Sequence, residues 1–202
     1  MNFRKEIQHI YLVGAKSLGA YGGYETFVYK LTEYHQNKEN IKYHVACKAN
    51  GDGCMDESKF EGVTKINDHE FEFHNAHCFK IDVPQIGSAQ AIYYDVAALK
   101  ACCEHIKKNH IPHPIVYIMA CRIGPFAGHF YREIHKLGGT VFLNPDGECE
   151  IIRGCHNRDK GTAENERLRN PKFIFSYPKN ERLIFLGGRN AAQEEISTMR
   201  VG

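Results

Sequence analysis

No apolar stretch in this chain of 202 residues approaches the ~20 needed to span a bilayer. The opening residues Met1-Asn2-Phe3-Arg4-Lys5-Glu6 run straight into a short apolar strand, without the long apolar core of a signal peptide. Low-complexity repeats are missing. So is a strong excess of one charge: the formal net charge of +2 is too small to argue for a nucleic-acid partner. None of the eight cysteines (Cys47, Cys54, Cys78, Cys102, Cys103, Cys121, Cys149 and Cys155) sits in a C-x-x-C pair. Several lie inside apolar runs, as in Val45-Ala46-Cys47, which reads as free thiols packed as small hydrophobes in a reducing compartment. Cys149, Cys155 and His156 lack the second half of a zinc pattern, and no histidine stands out as a ligand, so no metal is assigned.

The charge that is present is unevenly distributed. Residues 1–150 carry 16 Lys and Arg against 18 Asp and Glu; residues 151–202 carry 10 against 6. The basic residue changes from mostly Lys to mostly Arg across the same point. These shifts place a composition break near Gly147, between a domain over residues 1–147 and a tail over 148–202 that shows no periodicity and is expected to be poorly ordered.

Within residues 1–147, strands and helices alternate. His9–Val13 is a near-continuous apolar run of the kind buried on both faces, and Gly14 ends it. Further strands are expected at 43–47, 70–73, 78–83, 115–119 and 140–143. Helices are expected at 25–34, with Phe27, Val28, Leu31 and Tyr34 on one stripe, and at 89–108, with Ile92, Val96, Leu99, Cys103 and Ile106 inward. A third spans 126–137 and is capped by Gly138-Gly139. Residues 49–58 read as an exposed loop. The pattern predicts an α/β fold: a Rossmann-like parallel sheet with helices on both faces. In such sheets ligands bind beyond the carboxyl ends of the strands. The loops at 14–23, 120–125 and 144–148 should meet on that rim.

The first loop is not a dinucleotide fingerprint. Its glycine spacing differs from G-x-G-x-x-G, and the second strand ends at Cys47-Lys48 without the acid that would hold a ribose. NAD(P) binding is disfavoured, and no cofactor is expected. Gly22-Gly23 still offers bare backbone N–H groups at a helix start, a natural place for phosphate, or else only a tight turn. Arg122 can fork onto phosphate or sugar hydroxyls, or serve as a surface charge. Asp146 stands in a Pro-Asp-Gly turn, which favours Asp whatever its function.

Four ordered motifs carry a resemblance: Tyr21-Gly22-Gly23-Tyr24-Glu25-Thr26-Phe27-Val28, Ala91-Ile92-Tyr93-Tyr94-Asp95-Val96-Ala97-Ala98-Leu99, Cys121-Arg122-Ile123-Gly124-Pro125-Phe126 and Asn144-Pro145-Asp146-Gly147. Over about residues 7–147 the chain resembles DUF1972, a family found at the amino terminus of bacterial capsular and cell-wall rhamnosyltransferases. The resemblance implies the amino-terminal, acceptor-side half of a GT-B glycosyltransferase of the retaining GT4 type. Its partners would be a nucleotide sugar such as dTDP-rhamnose and a lipid-linked saccharide acceptor. The enzyme would be cytoplasmic, or at most peripheral at the inner membrane face. It also implies diphosphate or substrate contacts from Gly22, Gly23, Glu25 and Arg122, with Asp146 and Arg122 as the catalytic candidates. The first loop departs from the family in lacking its usual proline. The text after Gly147 departs as well, and the donor-binding second domain is expected to be missing. A frameshift or truncation near codon 147 would explain that break and would leave a non-catalytic saccharide- or nucleotide-binding fragment as the alternative function.

Overall fold

The computed structural model describes residues 7–19, 22–120, 123 and 126–144. Strand β1 (Gln8–Val13) leads to helix α1 (Gly23–His35) and strand β2 (Ile41–Lys48). A two-residue strand β3 (Thr64–Lys65), β4 (Glu70–Phe73) and β5 (Ala76–Ile81) follow. Helix α2 (Gln90–Lys108), β6 (Ile115–Ile118), α3 (Ala127–Lys136) and β7 (Thr140–Leu143) complete the described series. The sheet order is β3-β4-β5-β2-β1-β6-β7. From β5 to β7 all neighbours are parallel, while β3 and β4 add an antiparallel edge. The expected α/β Rossmann-like architecture is therefore present, with the sheet mixed rather than wholly parallel.

Two cores sandwich the sheet. On one face, Val28 of α1 packs with Leu12, Val45, Phe71 and Cys78. On the other, Ala98, Leu99, Cys102 and Ile106 of α2 and Phe130 and Ile134 of α3 pack with Tyr11, Val13, Val116 and Ile118. Each of the Val, Leu, Ile and Phe side chains contributes roughly 1.5–3 kcal/mol on burial. Strands β1, β2 and β6 have cover on both faces, which is why their sequences read as apolar runs rather than alternations.

The helix faces follow the expected stripes in part: Val28, Leu99, Cys103 and Ile106 are buried, while other members are not. In α1 the buried positions are Glu25, Val28 and Thr32, and Phe27 and Tyr34 face outward. Thr32 can face inward because its hydroxyl donates back to the Val28 and Tyr29 carbonyls, both at 3.0 Å, leaving its methyl to pack. In α2, Ile92 is exposed and Tyr94 and Asp95 are buried in its place. The segment 49–58 is not a wholly exposed loop: Met55 is buried in the α1-side core, and a short 3-10 turn forms at Glu57–Lys59. The α3 end is as expected: Gly138 has φ +77°, and the Gly138 and Gly139 amides donate to His135 and Ile134. The buried Cys47, Cys78, Cys102 and Cys103 are free thiols, and so is the half-buried Cys54.

Candidate functional site

Strand β1 pairs with β2 on one side and β6 on the other. The chain leaves β1 towards α1 on one face and reaches α3 from β6 on the opposite face. That reversal opens a crevice at the carboxyl ends of β1 and β6, the place where open α/β sheets bind ligands. The two strand ends are drawn tightly together. Met119 N–H donates to the Val13 carbonyl at 2.8 Å, extending the ladder past the last strand residue. Gly14 sits at φ +117°, and a Cβ there would lie 2.9 Å from the Ala120 amide nitrogen. Only glycine fits both the conformation and the gap.

The loop from Gly14 to Gly19 folds inward, burying Ala15, Ser17 and Leu18. Its backbone is clamped from three directions. The Tyr94 hydroxyl from α2 lies 2.5 Å from the Ala15 carbonyl and 2.9 Å from the Ala46 carbonyl, donating towards both. Lys48 N–H donates to the Lys16 carbonyl at 2.7 Å. The Glu25 carboxylate accepts the Lys16 N–H at 2.8 Å through Oε1. Ser17 Oγ is buried and has no hydrogen-bond partner among the described residues. A buried hydroxyl left unsatisfied costs about 1–3 kcal/mol, so an orphan at this loop marks a place where a ligand atom or a water belongs.

At the start of α1, Gly22 has an extended backbone and contributes no capping side chain, while its carbonyl accepts the Thr26 N–H at 3.0 Å. The two glycines meet different surroundings. A Cβ on Gly22 would lie 2.0 Å from Glu25 Oε2, so its bareness makes room for the carboxylate. A Cβ on Gly23 meets nothing within 4 Å, so nothing inside the described fold requires glycine there. Open space over the first residue of a 13-residue helix leaves its positive end approachable by an anion.

Gly22, Gly23 and Glu25 are thus gathered at the start of α1, beside the loop that follows β1. Glu25 is nearly buried and turned onto its own loop, where it holds Lys16 in place. Arg122 and Asp146 lie outside the described residues. Their neighbours Ala120, Ile123 and Asn144 are buried, and Asn144 N–H donates to the Ile118 carbonyl at 2.9 Å, beside the end of β6. The sequence reading passed over Ser17, Tyr94 and Lys48. Tyr94 falls in the second motif, but only the fold reveals that its hydroxyl reaches β1 and β2. Lys48 is buried at the end of β2, donating from Nζ to the Asp52 carbonyl at 2.9 Å, where a dinucleotide-binding domain would carry an acid. A second group missed from the sequence, His9, His44, His77 and His105, meets far along the chain on the α2 side of the sheet. Among the described residues, no helix is long and apolar enough to cross a membrane.

Comparison with curated proteins finds no match. The chain does match a protein family over residues 7–159, which takes in the whole described fold, all four motifs and a stretch beyond the composition break at Gly147. It belongs to the family described as "Domain of unknown function (DUF1972)".

Proposed function

We propose that this domain is the acceptor-side half of a GT-B glycosyltransferase. In this reading it transfers a hexosyl group, rhamnosyl in the first instance, from a nucleotide sugar to a lipid-linked saccharide in surface-polysaccharide synthesis. The observation that supports this reading is the built loop at the β1/β6 crevice. There a bare helix start at Gly23, the buried, orphaned Ser17 hydroxyl and a backbone fixed by Tyr94 and Glu25 lie on the segment that follows β1. Such a loop suits the diphosphate of a sugar donor. In the transfer the bond from the anomeric carbon to the diphosphate oxygen breaks, and the acceptor hydroxyl oxygen bonds that carbon. The hydroxyl proton passes to the oxygen of the leaving diphosphate, and the nucleoside diphosphate departs. Charge grows on the diphosphate as the bond stretches, so backbone N–H groups already in position stabilise the transition state more than the ground state. Arg122 would add a forked cation at the same oxygens, and Asp146 would stand near the acceptor hydroxyl. Glu25 acts as a positioning residue, keeping Lys16 and the loop in register. A second Rossmann-like domain would form the opposite wall of the cleft, and the acceptor would be met at the inner membrane face.

The test is calorimetric titration of the purified chain with dTDP, dTDP-rhamnose and NADH. Binding of the first two without NADH is the expected result, and Gly23→Val should weaken dTDP binding at least about tenfold without unfolding the protein. Equal affinity in folded Gly23→Val would return the glycine pair to a turn role. Transfer is then assayed with dTDP-rhamnose and a lipid-linked saccharide in a two-domain homologue carrying the same loop, where both walls of the cleft are present.

A further inference from the structure

The second cluster is built across three parallel strands. The register pairs Tyr11 of β1 with His44 of β2, and His44 with His77 of β5, placing all three side by side on the face that α2 covers. His105, near the end of α2, closes over them, its ring centroid 4.8 Å from that of His44 and 5.0 Å from that of His77. His9 completes the group from β1. None of these residues belongs to the loop at the carboxyl rim.

The ring nitrogens meet different neighbours. His44 Nε2 lies 2.8 Å from His9 Nδ1. His105 Nδ1 lies 2.8 Å from the Tyr11 hydroxyl. His77 Nε2 lies 3.8 Å from the Glu70 carboxylate. His44 and His105 therefore each hold a hydrogen-bond partner on one nitrogen, and a shared ligand would take the other, while the Glu70 contact of His77 is longer than a hydrogen bond. That division is the usual arrangement around metal-binding imidazoles. His44 Nδ1 and His77 Nδ1 are 3.3 Å apart. Two nitrogens at about 2.0–2.1 Å from a tetrahedral zinc ion are separated by about 3.3 Å. One ligand atom from each of His44, His77 and His105 lies within 4.8 Å of the others.

We propose that His44, His77 and His105 hold a divalent transition metal, zinc, through His44 Nδ1, His77 Nδ1 and His105 Nε2, with water in the fourth position. A movement of His105, the member at the helix end, towards the other two rings would complete the tetrahedral spacing. The nearest thiols are not part of the set, so the donor group is all imidazole, which suits zinc as well as copper and nickel. Burial holds the His44 ring down to about 2 and that of His105 to about 4, so both are neutral and their lone pairs are free of protons at neutral pH. The ion would pin β2 and β5 to the last turn of α2, bracing the end of the sheet remote from the crevice. A plain stack of core histidines is the competing account, and the two differ in what they predict for added metal.

The experiment uses the untagged full chain, stripped with chelator and titrated with zinc chloride while the histidine ring nitrogens are followed by long-range 1H–15N NMR. One equivalent should be taken up, with large shifts at one nitrogen each of His44, His77 and His105 and a rise in melting temperature. His105→Gln should weaken zinc binding by at least about tenfold. His129→Gln, at an exposed position on α3, should leave it unchanged. A further variant carrying Cys149→Ser, Cys155→Ser and His156→Gln should also bind normally. Failure to take up zinc stoichiometrically would overturn the proposal. So would uptake without shifts at these three rings, or unchanged affinity in His105→Gln.

Discussion

Two alanines nine residues apart should move stability in opposite directions. Gly14 occupies φ +117°, and an alanine Cβ there would meet the Ala120 amide nitrogen at 2.9 Å, its Cβ at 3.2 Å and the Met119 Cβ at 3.4 Å. The obstruction is one backbone nitrogen and two Cβ atoms fixed to the backbone, and it cannot swing aside without disturbing the 2.8 Å bond from Met119 to Val13. The disallowed φ costs about 1–3 kcal/mol. Overpacking adds about as much again, so Gly14→Ala should lose roughly 2–5 kcal/mol. Among the described residues no atom lies within 4 Å of a methyl added at Gly23, which opens α1 and has no left-handed φ. Gly23→Ala should gain about 0.4–1 kcal/mol, chiefly by restricting the unfolded chain. For a chain of this size, 1 kcal/mol corresponds to about 2–4 °C. Urea titrations of the two variants beside wild type, followed by far-UV circular dichroism, decide the matter. Gly14→Ala within about 1 kcal/mol of wild type would refute the close approach of the β1 and β6 ends, since the φ strain alone predicts a larger loss. A destabilised Gly23→Ala would mean that the helix start is packed, and the open space over it would be lost as an argument for an anion site.

Other consequences can be checked by simpler means. Tyr94→Phe removes the hydroxyl between the Ala15 and Ala46 carbonyls and should cost about 1–3 kcal/mol in a urea titration, with a matching loss of dTDP affinity as the first loop loosens. Glu25→Gln keeps an acceptor for Lys16 N–H and should melt close to wild type, whereas Glu25→Ala should lose about 1–3 kcal/mol. Burial raises the Cys78 and Cys102 thiols well above their usual range and Cys103 to about 12, so site-resolved mass spectrometry should find all three unalkylated by iodoacetamide in the native protein at pH 8 and alkylated once it is unfolded. Arg122→Lys keeps the charge but loses the fork, and in a two-domain homologue carrying the same motif it should lower the transfer rate with little change in melting temperature.

What could be read from the sequence is what depends on neighbours in the chain. The alternation of apolar runs with helical periods marks the sheet and its covering helices, and the glycines punctuate strand ends. Gly14, Gly22 and Gly23 stand out because backbone geometry is a local property. The helix faces were less legible, because a stripe of Phe27 and Tyr34 and one of Val28 and Thr32 differ by a rotation that only packing decides. Thr32 wins its inward place by a hydrogen bond to its own helix, which hydropathy does not score. Likewise Tyr94 looks like one aromatic in a row until the fold carries its hydroxyl across the sheet.

The histidines show the same limit more sharply. His44, His77 and His105 are 33 and 28 residues apart, a spacing that no linear metal pattern contains. They become neighbours through two facts of registry, the pairing of His44 with His77 and the length of α2 that returns His105 over them. A slip of one residue in β2 would turn His44 to the α1 face and bring Tyr43 into the stack, dissolving the cluster while hardly altering the hydropathy pattern. The two ends of this sheet therefore differ in how their chemistry is encoded. The carboxyl rim is specified by loop residues that act through their own backbone, so it can be recognised wherever the motif recurs. The histidine cluster is specified by strand register, so only the folded chain reveals it, and a substitution that shifts β2 should abolish it without touching any of its members.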